Sequence, residues 1–138
     1  FGVIMLDLDH FKAVNDQHGH QLGDAVLVDV AALLRAGQGP GGLAGRWGGE
    51  EFILVCPGAD LPETARRAEV LRAAIAAHGF AVGPCTGSFG VAAWRPEDRV
   101  EDIVRRADAA LYDAKRAGRN RVCRATDETN GMRAQAAG

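Results

Sequence analysis

GRWGGEEFILV, Gly45 to Val55, sets two adjacent glycines against two adjacent carboxylates just where the chain turns apolar. LAGRW before it and EEFILV after it are strand-like, and Gly48-Gly49 between them reads as a two-residue hairpin turn. Glycine accepts the positive φ angles such turns require. On a regular strand Glu50 and Glu51 point to opposite sides, so only one of them can share a site with a neighbouring acid. Like charges at the mouth of a buried strand are unfavourable unless a cation compensates them. The stretch therefore asks for a partner.

A second acidic strand end lies at the start of the chain. FGVIMLDLD, residues 1 to 9, is apolar for six residues and ends in Asp7 and Asp9. This pattern fits a strand covered on both faces whose C-terminal end opens onto a site. Asp7 with one glutamate of the hairpin suits a magnesium site that keeps places for substrate phosphates. The competing reading makes Asp7 and Asp9 caps of the strand end and leaves the glutamates solvated.

HFKAVNDQHGHQLGD, residues 10 to 24, is a polar loop with Gly19 and Gly23 as turn or cap points. Asn15 and Asp24 together match a purine edge such as that of guanine; equally, Asn15 suits a turn and Asp24 an N-cap. A helix is predicted from Asp24 to Arg35, with Val26, Leu27, Val30, Ala31 and Leu34 at helical spacing. GQGPGG, residues 37 to 42, is a turning connection. A second helix is expected over Pro62 to His78 and a third over Glu97 to Ala117, with Val100, Ile103, Val104, Ala107, Leu111 and Ala114 on its stripe. Phe80 to Trp94 is strand-like but broken by Gly83, Pro84, Gly87 and Gly90, which predicts a hairpin. Asn120 to Arg124 adds a short last strand, and the tail at 125–138 is expected to be flexible. Strands alternating with helices, with hairpins mixed in, give an α/β (α+β) mixed central sheet flanked by helices.

Lys115 and Arg119 are four apart and face the same way if the helix persists past Gly118, within reach of phosphate oxygens. The alternative is complementation of the helix dipole. Lys12 is a third phosphate contact or an ordinary exposed lysine. No GxxxxGK[ST] is present, which excludes a P-loop by signature. His10, His18 and His20 lack the companions of a zinc site, and Trp47 and Trp94 read as packing residues.

Bulk composition narrows the class. The 138 residues are 47% apolar and 25% charged, enough for one domain with an ordinary core. Sixteen basic against eighteen acidic residues give a charge of -2, so a long nucleic acid finds no general attraction. Cys56, Cys85 and Cys123 show no metal or disulfide spacing; Cys56 and Cys85 read as apolar fillers in strands of a protein in a reducing compartment. No apolar run approaches the roughly 20 residues of a membrane span. The chain starts inside an apolar segment and reads as a fragment of something longer.

Four separated segments together resemble the GGDEF domain of diguanylate cyclases: DLDHFKAVNDQHGHQLGD at 7–24, RWGGEEF at 46–52, GSFGVA at 87–92 and ADAALYDAKRAGRNRV at 107–122. The similarity covers residues 1–124. It implies a palm-like fold, as in nucleotide cyclases and polymerases, with a hairpin carrying GGEEF. It implies condensation of two GTP into cyclic di-GMP with loss of two pyrophosphates, between two facing domains of a homodimer. By the same resemblance Asp7, the Leu8 carbonyl and Glu50 hold Mg2+ (or Mn2+), and Glu51 is essential. Asn15 and Asp24 read guanine, while His10, Phe11, Lys12, Lys115 and Arg119 hold phosphates. Gly48 and Gly49 leave room for the nucleotide. A cytoplasmic domain, a regulatory domain upstream and an absent leading helix are also implied, as is a non-catalytic GTP-binding domain as the alternative. The family's RxxD product-inhibition motif falls on Gly39 and Gly42 here, which predicts weak product feedback.

Overall fold

The computed structural model describes residues 1–126. In chain order its elements are β1 (Gly2–Leu8), α1 (Phe11–His18), α2 (His20–Gly37), β2 (Leu43–Gly48), β3 (Glu51–Cys56), α3 (Leu61–Ala77), β4 (Gly87–Ala93), α4 (Val100–Arg116) and β5 (Val122–Arg124). The strands form one sheet in the order β2-β3-β1-β4-β5. All pairs are antiparallel except β4 with β5. The mixed sheet flanked by helices expected from the sequence is the fold observed.

β1 is buried along its whole length because both of its faces are covered. Ile4, Leu6 and Leu8 enter a core with α2 and α3, while Val3 and Met5 enter a second core beneath α4. The period-2 alternation of a strand thus divides one apolar run between two layers. Gly90 lets α4 lie close on the sheet, since a Cβ there would stand 2.2 Å from both Ala107 O and Leu111 N. Asp60 caps α3 by accepting from the Glu63 amide at 2.9 Å, with Pro62 in the first turn.

Several expectations are corrected. Residues 11–18 form a helix rather than a loop; only Phe11 and Val14 reach the core, too few for a periodic signal. Gly19 breaks the chain there, with φ of 85°, and α2 starts at once with His20. Asp24 is therefore no N-cap but an exposed residue one turn inside α2. In the hairpin Gly48 pairs with Glu51, so the turn is Gly49-Glu50, one residue later than predicted, after a bulge beside Trp47. Phe80 to Trp94 holds one strand, not a hairpin: residues 80–86 turn around Gly83 and bring Phe80 and Cys85 to the core. Cys85 is buried as expected, but in that turn rather than in a strand. Val100 leaves the predicted stripe at 67% exposure, because α4 begins there, and Trp47 is 55% exposed on the edge strand instead of packed. Ala125 is buried, its amide donating to Val91 O at 2.8 Å; the rest of the expected tail, 127–138, lies outside the described residues. No helix among the described residues is long and apolar enough to cross a membrane.

Candidate active site

The end of β1 carries the acidic centre. Asp7 continues the α4-facing side of the strand, and Lys115 Nζ from the last turn of α4 donates to its Oδ2. Asp7 is 5% exposed, and its Oδ1 is buried without a partner among the described residues. Burial pushes the Asp7 carboxyl above the usual range, Lys115 opposes that, and the charges of Glu50 and Asp9 add to it.

Glu51 is the residue directly opposite Asp7 in the β1–β3 register. Opposed residues of an antiparallel pair project to one face, so Glu51 shares the α4 side with Asp7. Burial raises its carboxyl, and the charges of Asp7 and Asp108 raise it further. Glu50 escapes the pleat altogether, since it sits in the turn; it lines a cleft of about 180 Å3 together with Asp7, Leu8, Asp9, His10, Phe11, Lys12, Lys115 and Arg119. Both glutamates thus approach Asp7. The rule that only one could do so presumed a regular strand through residue 50.

Arg46 holds the turn from below, its Nε donating to Gly49 O at 2.7 Å. Gly49 has φ of 44°, and a Cβ on either Gly48 or Gly49 would meet no atom within 4 Å. The pair therefore borders open space.

The opposite wall of the cleft is the start of α1. His10 takes the left-handed conformation (φ 56°), rare for a residue with a side chain, and no side chain caps the helix there. Uncapped N–H groups at a helix N-terminus carry partial positive charge and accept anions. Lys115 joins from α4 and Arg119 from the turn after it, and the condition that the helix persist past Gly118 is not met. The helix stops at Arg116, and the Arg119 amide turns back onto Ala114 O at 2.9 Å while that of Gly118 reaches Lys115 O at 3.4 Å. This left-handed ending brings both cations to the same cleft.

A divalent cation suits these residues. A buried carboxylate oxygen without a donor is costly, and a hard cation satisfies it. Among the described residues no group of three or more His, Cys, Asp or Glu side chains is placed to hold a metal ion unaided. Further ligands would then be water and substrate oxygens, the pattern magnesium prefers.

Asn15 and Asp24 come from different helices. The Asn15 side chain packs on Gly23, where a Cβ would lie 1.8 Å from Asn15 Oδ1. Asp24, the next residue, borders a larger hollow of about 480 Å3 between α2 and the hairpin, lined also by Leu27, Arg35, Arg46 and Phe52. The larger hollow sets Asp24, Arg35 and Arg46 among apolar side chains, whereas the smaller cleft gathers Asp7, Asp9, Glu50, Lys12, Lys115 and Arg119. Asp9, read as a strand-end cap, accepts hydrogen bonds from Thr86, Ser88 and the Asn120 amide. Those partners are 77 to 111 positions away, and no local pattern announces them.

Comparison with known proteins identifies the family. The family described as "Diguanylate cyclase, GGDEF domain" matches residues 1–121. The chain is 42% identical over 127 residues to diguanylate cyclase VdcA of Vibrio cholerae, covering 87% of this chain and 38% of that protein. It is 39% identical over 123 residues to diguanylate cyclase DgcM of Escherichia coli, covering 88% and 30%. It therefore spans well under half the length of these relatives. Among solved structures, the GGDEF domain of DgcB from Caulobacter crescentus in complex with c-di-GMP superposes with a TM-score of 0.86 at 37% identity, covering 90% of this chain and 77% of that one. The active GGEEF domain of a diguanylate cyclase from Vibrio cholerae gives 0.86 at 38% identity, covering 91% and 83%. The chain belongs to the diguanylate cyclase GGDEF-domain family.

Proposed function

We propose that residues 1–124 form the catalytic domain of a cytoplasmic diguanylate cyclase, which condenses two GTP into cyclic di-GMP and releases two pyrophosphates. The observation that carries this reading is the convergence, at one strand end, of a buried unpartnered Asp7 oxygen, Glu50, an uncapped helix N-terminus and the three cations Lys12, Lys115 and Arg119. Three unpaired cysteines suit a reducing compartment.

Each domain holds one GTP. Asn15 and Asp24 take the guanine edge, and the first turn of α1 around His10 and Phe11, with Lys12, Lys115 and Arg119, takes the triphosphate. Asp7, the Leu8 carbonyl and Glu50 hold a divalent cation, magnesium or manganese. Bound there, the cation supplies charge neutralisation at the transferring phosphoryl group and activates the attacking oxygen. The 3'-hydroxyl oxygen of one GTP forms a bond to the α-phosphorus of the other. The bond from that phosphorus to the bridging oxygen breaks, and pyrophosphate leaves. Glu51, with its carboxyl raised by burial, accepts the hydroxyl proton. Lys115 and Arg119 hold the departing charge. A second, identical step closes the ring. Because each domain brings half of the reacting pair, proximity in a homodimer controls the rate. An attached regulatory domain is the natural means of setting that proximity.

GTP turnover with magnesium, followed as cyclic di-GMP and pyrophosphate at two protein concentrations, tests the reading. The rate is expected to rise faster than linearly with protein. Asp7→Asn and Glu50→Gln are expected to lose about 100-fold or more while staying folded. Saturable GTP binding without turnover at every concentration would instead assign a non-catalytic GTP-binding domain.

A further inference from the structure

Asp9 is only 8% exposed, yet the reaction above gives it no task. Its Oδ1 accepts from Ser88 Oγ at 2.7 Å; its Oδ2 accepts from Thr86 Oγ1 at 2.7 Å and from the Asn120 amide at 3.0 Å. Its own amide donates to Thr86 O at 2.9 Å. One carboxylate thus joins the end of β1, the start of β4 and the turn that follows α4.

That turn needs holding. Arg119 and Asn120 have φ of 66° and 46°, a region residues with side chains adopt at a cost. The Arg119 amide is bound back to Ala114 O, and the Asn120 amide is bound to Asp9. At the surface Arg72 Nη1 of α3 adds a bond to Asn120 Oδ1 at 2.8 Å. Of these anchors only Asp9 lines the cleft, and it lies two residues from Asp7 on the same strand end.

The geometry points to Asp9 as a positioning residue that aims the Arg119 guanidinium at the triphosphate by fixing the backbone of Asn120. It acts without touching nucleotide. The inference rests on the assignment of Arg119 to the phosphates. Arginine loses much rotamer freedom on binding, and a fixed backbone limits how much remains to be lost. A merely structural bond would change stability and leave the ligand preference of the folded protein alone. Positioning instead weakens the phosphate end selectively.

The test uses the purified protein with magnesium, Asp9→Ala, Arg119→Ala and the double variant, each titrated with GTP and with guanosine where all are folded. GTP affinity is expected to fall about tenfold in each single variant. The double variant should lose no more than either single one, because both remove the same contact. Guanosine affinity should stay within about twofold of the original. Unchanged GTP affinity in Asp9→Ala, losses that multiply in the double variant, or an equal loss for guanosine would overturn the inference. Unchanged GTP affinity in Arg119→Ala overturns the phosphate assignment itself, and so is told apart from failure of the Asp9 clamp. Amide exchange of Asn120 in the unaltered protein needs no variant: strong protection is expected, and exchange at the rate of an open chain would overturn the clamp.

Discussion

Asp7 stands directly opposite Glu51 in the β1–β3 ladder, two carboxylates facing one another with Lys115 bonded to only the first. Like charges placed so are destabilising, by about 0.2–1 kcal/mol. Without metal, Glu51→Gln is expected to raise stability by about that amount and to cut turnover by about 100-fold or more. Urea unfolding in chelator, beside GTP turnover, checks both. A less stable variant would contradict the like-charge account.

Gly23 tests the guanine assignment from outside the site. In Gly23→Ala the new Cβ meets Asn15 Oδ1 at 1.8 Å, so the amide must swing away. The moving group is the end of a side chain, and alanine favours the helix by about 0.5–1 kcal/mol, so the melting temperature should hardly change. KM for GTP should rise about tenfold with the fold intact. Unaltered KM would remove Asn15 from the guanine site.

Gly90 and Gly48 separate packing from ligand access. A Cβ at Gly90 strikes the backbone of α4 at 2.2 Å, and Gly90→Ala should cost about 1–3 kcal/mol and displace Lys115 with its helix. Gly48→Ala meets nothing within 4 Å and should leave stability within about 0.5 kcal/mol while weakening GTP binding. Thermal melts with and without GTP distinguish the pair, and equal losses of stability would contradict it.

Asp98 and Arg106 form the best-buried ion pair described, their side chains 4% and 10% exposed, with contacts of 2.6 and 2.7 Å. Arg106 also donates to Ala93 O at 2.7 Å, tying α4 to the end of β4. The hydrogen bonds from Arg106 hold the Asp98 carboxyl below the usual range, and the Arg95 amide helps. The unfolded chain then binds the proton more tightly, so this stabilisation is full above about pH 3.9 and is lost as pH falls. Asp98→Asn should cost about 3 kcal/mol at neutral pH and flatten the acid side of the stability profile. Urea midpoints from neutral to strongly acid pH measure it; parallel profiles would exclude the pair as the cause.

Product feedback through the loop before the hairpin is expected to be weak. Gly39 has φ of 76°, and a Cβ at Gly42 would lie 2.4 Å from Gln38 O, so this turn is built around glycine at both positions. Titration with cyclic di-GMP should show no low-micromolar binding there. Saturable binding at that level, lost on altering residues 38–42, would reverse the expectation.

Much of this was legible locally. The β1 run, the hairpin, helix α3 and the α4 stripe through Ile103, Ala107, Leu111 and Ala114 all carry short-range signals that the fold keeps. Where local reading failed, something distant decided. Helix α1 has only two core-facing residues and is held by the neighbour it packs on, not by its own periodicity. Residues 80–86 look strand-like, yet β1 and β5 occupy both edges of β4 and leave no place for another strand beside it.

The chain's order of residues was enough to place a carboxylate at a strand end, acids at a hairpin and basic residues near a helix terminus, because propensity and periodicity act over a few residues. It was not enough to say which groups touch. Antiparallel register puts Glu51 opposite Asp7, a turn frees Glu50 from the pleat, and a left-handed helix ending returns Arg119 to the cleft. Asp9 meets Asn120 only because β1, β4 and the turn after α4 end side by side. Register, crossing and closure are properties of packed layers, and they exist only once segments a hundred residues apart have been brought together.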